Sequence, residues 1–150
     1  MSAYKWKTAS YIKASAEEAG KMCEELSQTI GLTPESLLEA NKAEESPLHN
    51  EFEWDDTEAA HKYRLGQARH IIQCLITIPE GATEETAPVR AFFVTEKTSK
   101  YEHIDVIMRN EDKRAVMLRQ AIAELNAFKK KYAELSELTA LFERIALISA

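Results

Sequence analysis

EAAHKYRLGQARHIIQCLITIP, residues Glu58–Pro79, changes its hydrophobic period part-way along. Up to Cys74, apolar side chains recur at Ala60, Tyr63, Leu65, Ala68, Ile71 and Ile72, which is a helical spacing. From Leu75 to Ile78 the run is apolar and β-branched, which suits a strand. The stretch therefore predicts a long helix that feeds directly into a β element. Asp55 or Asp56 is placed to cap that helix, with Glu58 near its positive dipole end.

On the N-terminal side, Ser15-Ala16-Glu17-Glu18 has the form of a capping box. Met22, Leu26 and Ile30 follow at four-residue steps, and Gly31 is placed to end that helix. Thr33-Pro34-Glu35 opens a second helix, with Leu37, Leu38 and Ala40 facing inward. Ser46-Pro47 starts a short helix or turn that carries Leu48 and Phe52. On the C-terminal side, Pro79–Pro88 reads as a loop and Val89–Thr95 as a second strand. A two-stranded antiparallel hairpin packed on helices is the simplest arrangement. Tyr101–Met108 fits a strand or a short helix. From about Asn110 the pattern is helical: Ala121, Leu125, Phe128, Tyr132 and Leu135 are spaced 4, 3, 4, 3. Leu138, Leu141, Phe142 and Ile145 continue after Ser136, a possible start for a separate last helix.

The expected fold is mainly α (α+β). It has a helical N-terminal half, a small antiparallel β-hairpin and a C-terminal helical pair. One domain spans residues 1–150: an arm at 1–14, a helical part at 15–74, the hairpin at 75–95 and C-terminal helices at 101–150. Four glycines and four prolines are few for 150 residues, which favours helices over a turn-rich β fold.

The formal net charge is −6. That argues against a general nucleic-acid coat but leaves room for a local basic site. Cys23 and Cys74 are far apart and sit among apolar neighbours. They read as buried free thiols in a reducing cytoplasm, with one disulfide as the alternative. The N-terminus lacks the apolar core of a signal peptide, and no apolar run is long enough to span a bilayer.

No residue pattern specifies catalysis or a cofactor. Glu58 and His61 form one Glu-x-x-His pair, whereas di-metal bundles use two. The histidines show no zinc spacing with the cysteines. All four glycines are isolated, so there is no phosphate loop. Cys74 and His70 are one helical turn apart, yet an inert thiol fits the apolar surroundings better than a nucleophile. The acidic cluster Glu51, Glu53, Asp55, Asp56 and Glu58 could hold a cation, but helix capping already accounts for its last members.

Three surfaces stand above that background. The acid-free stretch Ala59–Pro79 carries Lys62, Arg64, Gln67 and Arg69, side-chain types that contact phosphates and base edges. Complementation of the helix dipole explains the same distribution. In the arm, Lys5 and Lys7 alternate with Tyr4 and Trp6, a pattern suited to stacking and phosphate contact. Docking of Trp6 and Tyr11 on the domain is the competing account. The seam Leu125, Phe128, Tyr132 and Leu135 fits either a homodimer or partner interface or packing within the chain. Lys129–Lys131 reads as a solvated helix face.

Ser46-Pro47-Leu48-His49, Phe52-Glu53-Trp54-Asp55-Asp56, Ala59-Ala60, Tyr63-Arg64 and Gln67-Ala68-Arg69 form a block. With Pro88–Phe92, Glu124-Leu125, Phe128 and Lys131-Tyr132, it resembles a family of small, largely uncharacterised proteins of tailed bacteriophages, prophages and mobile elements. The resemblance runs from about Tyr4 to Phe142. It implies a phage or mobile-element origin and a bacterial cytoplasm, and it brings no catalytic residues, cofactor or fold.

The resulting expectation is a non-enzymatic, cofactor-free phage or prophage protein. It would bind DNA through Lys62, Arg64, Gln67 and Arg69, assisted by Lys5, Lys7 and Arg90, in a regulatory or architectural role. The alternative is a protein-interaction module (assembly factor, adaptor or inhibitor) acting through its C-terminal helices on itself as a homodimer or on a host or phage protein, away from any membrane.

Overall fold

The computed structural model describes residues 3–54, 57–83, 85–95 and 99–149. Its helices are α1 (Ala16–Gln28), α2 (Pro34–Ala40), α3 (Glu58–Cys74), α4 (Ile104–Arg109), α5 (Glu111–Lys131) and α6 (Thr139–Ser149). The short strands are β1 (Tyr4–Trp6), β2 (Leu75–Thr77), β3 (Val89–Arg90), β4 (Phe92–Val94) and β5 (Tyr101–His103). The mainly helical α+β class is as expected.

The helix ends follow local chemistry. Ser15 Oγ accepts the Glu18 amide at the start of α1. Gly31 ends the α1 region at φ +98°, a left-handed backbone, and its N–H reaches Leu26 O at 2.7 Å. Thr33 caps α2 with Pro34 behind it, and Ser36 closes the box by accepting the Thr33 amide. For α3 the cap is Thr57, whose hydroxyl accepts the Ala60 amide at 3.1 Å, rather than Asp55 or Asp56. Those two aspartates lie outside the described residues.

The strands are richer than one hairpin. β2 pairs antiparallel with β3 as expected, and β1 adds to the other edge of β2, with Tyr4 opposite Thr77 and Trp6 opposite Leu75. The arm is therefore partly a strand. Ala91 breaks the Val89–Thr95 run: its N–H bonds back to Leu75 O and its carbonyl accepts Ile104 N–H. Beyond Ala91, β4 changes partner and pairs with β5, Phe92 opposite His103. Tyr101–Met108 is both alternatives in turn, strand β5 and then α4.

The main core lies between α1, α2, α3 and the two small sheets. Cys23, Leu32, Leu37, Leu48, Ile72, Leu75 and Phe92 are fully enclosed there. Ala19 and Cys23 form the inward stripe of α1. Met22 and Leu26 of the expected stripe pack against the core beside them, whereas Ile30 falls past the helix end and is exposed. Tyr63, counted in the apolar spacing of α3, is exposed as well. Tyr4 is buried, with its ring stacked on Phe92 and its hydroxyl donating to Glu24 at 2.7 Å.

The α2–α3 junction is a clasp. Buried Asn41 donates to Leu37 O and accepts the Leu48 amide. The His49 ring bonds Asn41 O and stacks on Trp54 at 4.7 Å. Trp54 Nε1 donates to His49 O. Phe52 is buried beside Trp54, as a residue stapling the approach to α3 should be.

α5 and α6 form a helical hairpin after α4. Val116, Phe142 and Ile145 are its buried side chains. Phe128 meets Phe142 edge-on at 6.4 Å, and Asn126 Nδ2 donates to Ser149 Oγ at 3.0 Å.

Candidate functional site

Arg64, Gln67 and Arg90 are engaged within the fold. Arg64 turns inward: its Nη1 donates to Glu53 O at 3.0 Å and its guanidinium lies 5.7 Å from the Trp54 ring centre. Gln67 Oε1 accepts the Glu53 amide at 2.9 Å. Both therefore brace the clasp ahead of α3. Arg90 bonds Phe92 O through Nε and lies 5.0 Å from the Phe93 ring centre. Lys62 and Arg69 on α3, and Lys5 and Lys7 on or beside β1, are exposed.

Lys62 also lines a groove of about 500 Å³ between α3 and residues 10–12, with Tyr11, Tyr63, Gly66 and His70. Tyr11 is 88% exposed at φ +59°, so it does not dock on the domain. Trp6 does dock, donating to Ala14 O at 2.7 Å. A left-handed backbone is unusual for a side chain of this size.

The candidates for chemistry have structural roles. Cys74 Sγ lies 3.6 Å from the His70 ring nitrogens, so the pair foreseen from spacing does meet. However, burial pushes the Cys74 thiol pKa up against the opposing effect of Lys7, which keeps it protonated. Cys23 is pushed up to about 12 by burial. Both cysteines are free. Glu51 accepts the Lys13 and Ala14 amides, and thus ties down the arm. Among the described residues no three His, Cys, Asp or Glu side chains come close enough to hold a metal ion.

His103 has no sequence signal. It is buried, and its Nδ1 accepts the Asp105 amide as the cap of α4. Its ring meets Phe92 and Tyr4 edge-to-face. Nε2 makes no hydrogen bond among the described residues. Burial lowers its pKa, partly opposed by the Asp105 carboxylate. The arrangement fixes a neutral imidazole with its proton on Nε2.

The C-terminal hairpin carries the largest run of exposed apolar side chains. Leu118, Leu125 and Phe128 of α5 are 56, 38 and 41% exposed, and Leu141 and Ile148 of α6 are 48 and 58% exposed. On α5, Leu118, Ala121, Leu125 and Phe128 are three or four residues apart and share one stripe. Phe142 and Ile145 point α6 at α5. Leu141 and Ile148 lie a quarter-turn to one side of that contact. Because α6 runs back antiparallel, that side adjoins the α5 stripe. Tyr132 caps α5 and packs on Phe128 at 4.8 Å, and Leu135 follows in the connection, 46% exposed. The expected seam thus bends away from the helix axis after Lys131. Lys129–Lys131 close α5, with Lys131 Nζ 5.3 Å from the Tyr132 ring centre.

Among the described residues no helix is long and apolar enough to cross a membrane. Comparison with protein-family models, curated proteins and solved structures finds no match to this chain.

Proposed function

We propose that this chain is a non-enzymatic protein-interaction module whose working surface is the apolar flank of the α5–α6 hairpin. The observation that carries the reading is the partial exposure of Leu118, Leu125, Phe128, Leu141 and Ile148 on a hairpin whose buried side chains are Val116, Phe142 and Ile145. Apolar patches of this kind on soluble domains mark association sites. A phage or prophage origin, and with it a bacterial cytoplasm, joins this proposal on the sequence resemblance alone.

DNA binding is the second reading. The exposure of Lys62, Arg69, Lys5 and Lys7 favours it. It is the weaker one, because Arg64, Gln67 and Arg90 already serve internal contacts.

A photo-crosslinking residue placed at Leu125, with Arg119 as a control position, tests the first reading in expressing cells. A discrete adduct from position 125 and none from 119 is expected. No adduct at 125, or the same adducts at both, removes the flank as a working surface.

A further inference from the structure

We infer that the groove between α3 and residues 10–12 binds one unstacked nucleobase, with its phosphate, from a single-stranded nucleic acid. The groove shares no residue with the α5–α6 flank, so either surface can fail its test alone. Of the five tyrosines, Tyr4 and Tyr101 are buried and Tyr132 packs on Phe128. The two that stand in solvent, Tyr11 and Tyr63, both line this groove, 88% and 61% exposed. Among the described residues no other aromatic ring packs on either. The floor between them is open, with nothing within 4 Å of a methyl group placed on Gly66. A volume of about 500 Å³ is that of a small-molecule site.

The Tyr11 ring is held out at a conformational cost. Ala9 and Tyr11 are the two non-glycine residues with a left-handed backbone among the described residues, at φ +64° and +59°. Such backbones cluster at ligand clamps, where the surrounding structure holds them in place. Here the fastening is explicit. His70 Nε2 donates to Ser10 O at 3.1 Å, Ser10 N–H reaches Lys7 O, and Glu51 accepts the amides of Lys13 and Ala14. A ring set in place before its ligand arrives loses little freedom on binding.

The unused polar groups define the occupant. Glu51 is the one acid in the lining, and one of its oxygens is taken by those two amides. Gln67 Oε1 accepts the Glu53 amide, which leaves its Nε2 as a donor. Ser10 Oγ accepts the Ile12 amide, which leaves its O–H as another. Lys62 adds a cation. The groove thus offers donors to a flat ring that bears acceptors and carries an anion. A nucleobase has carbonyl and ring-nitrogen acceptors and a phosphate beside it, whereas the ring of a phenylalanine or tryptophan has neither. A duplex cannot supply such a ring, because its bases are already stacked and paired. Exposed Arg69 lies on the same side of α3 as Lys62, about 10 Å further along the axis, where it meets a neighbouring phosphate of the strand.

Fluorescence anisotropy of a labelled oligothymidylate with the full chain, across a salt series, provides the test. A hairpin duplex and thymidine monophosphate serve as competitors. The single strand should bind, and neither competitor should displace it at equal concentration. Tyr11→Ala and Tyr63→Ala should each weaken binding about fivefold or more, and Tyr63→Phe should not. Lys62→Ala should lower the log-log salt slope by ~0.7. Gly66→Leu should fill the floor and block binding without loss of helical circular dichroism. Tyr11→Gly relieves the left-handed backbone, so it should raise the urea midpoint while binding is lost. No binding at low salt overturns the inference, as do equal affinity for the duplex or the monophosphate and indifference to both tyrosine-to-alanine changes. A photo-crosslinking residue at position 63 that captures protein rather than nucleic acid gives the groove to a peptide and also overturns it.

Discussion

Gly20 and Gly66 both sit inside helices, yet their replacement by alanine should move stability in opposite directions. Helix propensity alone favours alanine by ~0.8–1 kcal/mol at either site. Around Gly66 nothing lies within 4 Å of the added methyl, so Gly66→Ala should stabilise by about that amount. At Gly20 the methyl would overlap the Tyr4 ring. That ring is stacked on Phe92 and held by Glu24, so it cannot step aside cheaply. Overpacking costs ~1–3 kcal/mol, and complete loss of a buried aromatic ~3–5 kcal/mol. After the propensity gain, Gly20→Ala should destabilise by up to about 4 kcal/mol. At ~2–4 °C per kcal/mol for a chain of this size, the melting temperature falls by several degrees, against a rise of ~2 °C for Gly66→Ala. Urea unfolding followed by circular dichroism measures both. In a Tyr4→Ala background the penalty should vanish, leaving Gly20→Ala stabilising. If Gly20→Ala raises stability in the otherwise native chain, the docking of β1 on α1 through Tyr4 is wrong.

His103 makes stability depend on pH with a definite sign. Its folded pKa lies below the unfolded value near 6.5, so below that pH the unfolded chain binds the extra proton and stability falls. The slope from this one group is at most ~1.4 kcal/mol per pH unit, and His103→Asn, which keeps an acceptor for the Asp105 amide, should flatten urea midpoints between pH 7 and 5; equal slopes in both proteins would remove His103 as the cause. Asn41→Ala strands the Leu48 amide and Leu37 carbonyl in the core and should cost about 2–3 kcal/mol. Trp54 fluorescence reports that loss directly, and a change below ~0.5 kcal/mol would show the clasp to be dispensable. Duplex DNA should show no binding that survives physiological salt. If it does bind, and Lys62→Ala and Arg69→Ala each lower the log-log salt slope by ~1, the second reading replaces the first.

Much of the fold was legible because helix ends carry local chemistry. Ser15, Thr33-Pro34 and Gly31 act through their own backbones or within a few residues, and each does what its type predicts. The strands were harder to read. Nothing within Tyr4–Trp6 distinguishes an arm from an edge strand, because its hydrogen bonds lie some seventy residues away on β2. The change of partner at Ala91 is equally non-local: its carbonyl is taken by Ile104, in a segment whose own assignment was ambiguous. His103 left no trace in the sequence, since burial of one imidazole depends on Tyr4 and Phe92 arriving from different elements.

The two candidate surfaces differ in how sequence maps onto use. A guanidinium has five donors and a flat face, so it serves a backbone carbonyl and an indole as readily as a phosphate. Arg64 does the former, and a basic residue count along α3 could not distinguish these roles. The described residues between Ser46 and Arg69 largely form this clasp: Leu48 and Phe52 buried, His49 on Trp54, and Arg64 and Gln67 on Glu53. Its residue types follow from closing the α2–α3 junction and require no ligand. Helical periodicity is more informative on α5, because it fixes which side chains share a face. What it leaves open is the cover. An antiparallel α6 of 11 residues against an α5 of 21 covers only one flank. Leu118 and Leu125, seven residues apart on α5, stay exposed on the flank that α6 leaves uncovered, and the interaction-module reading rests on that flank.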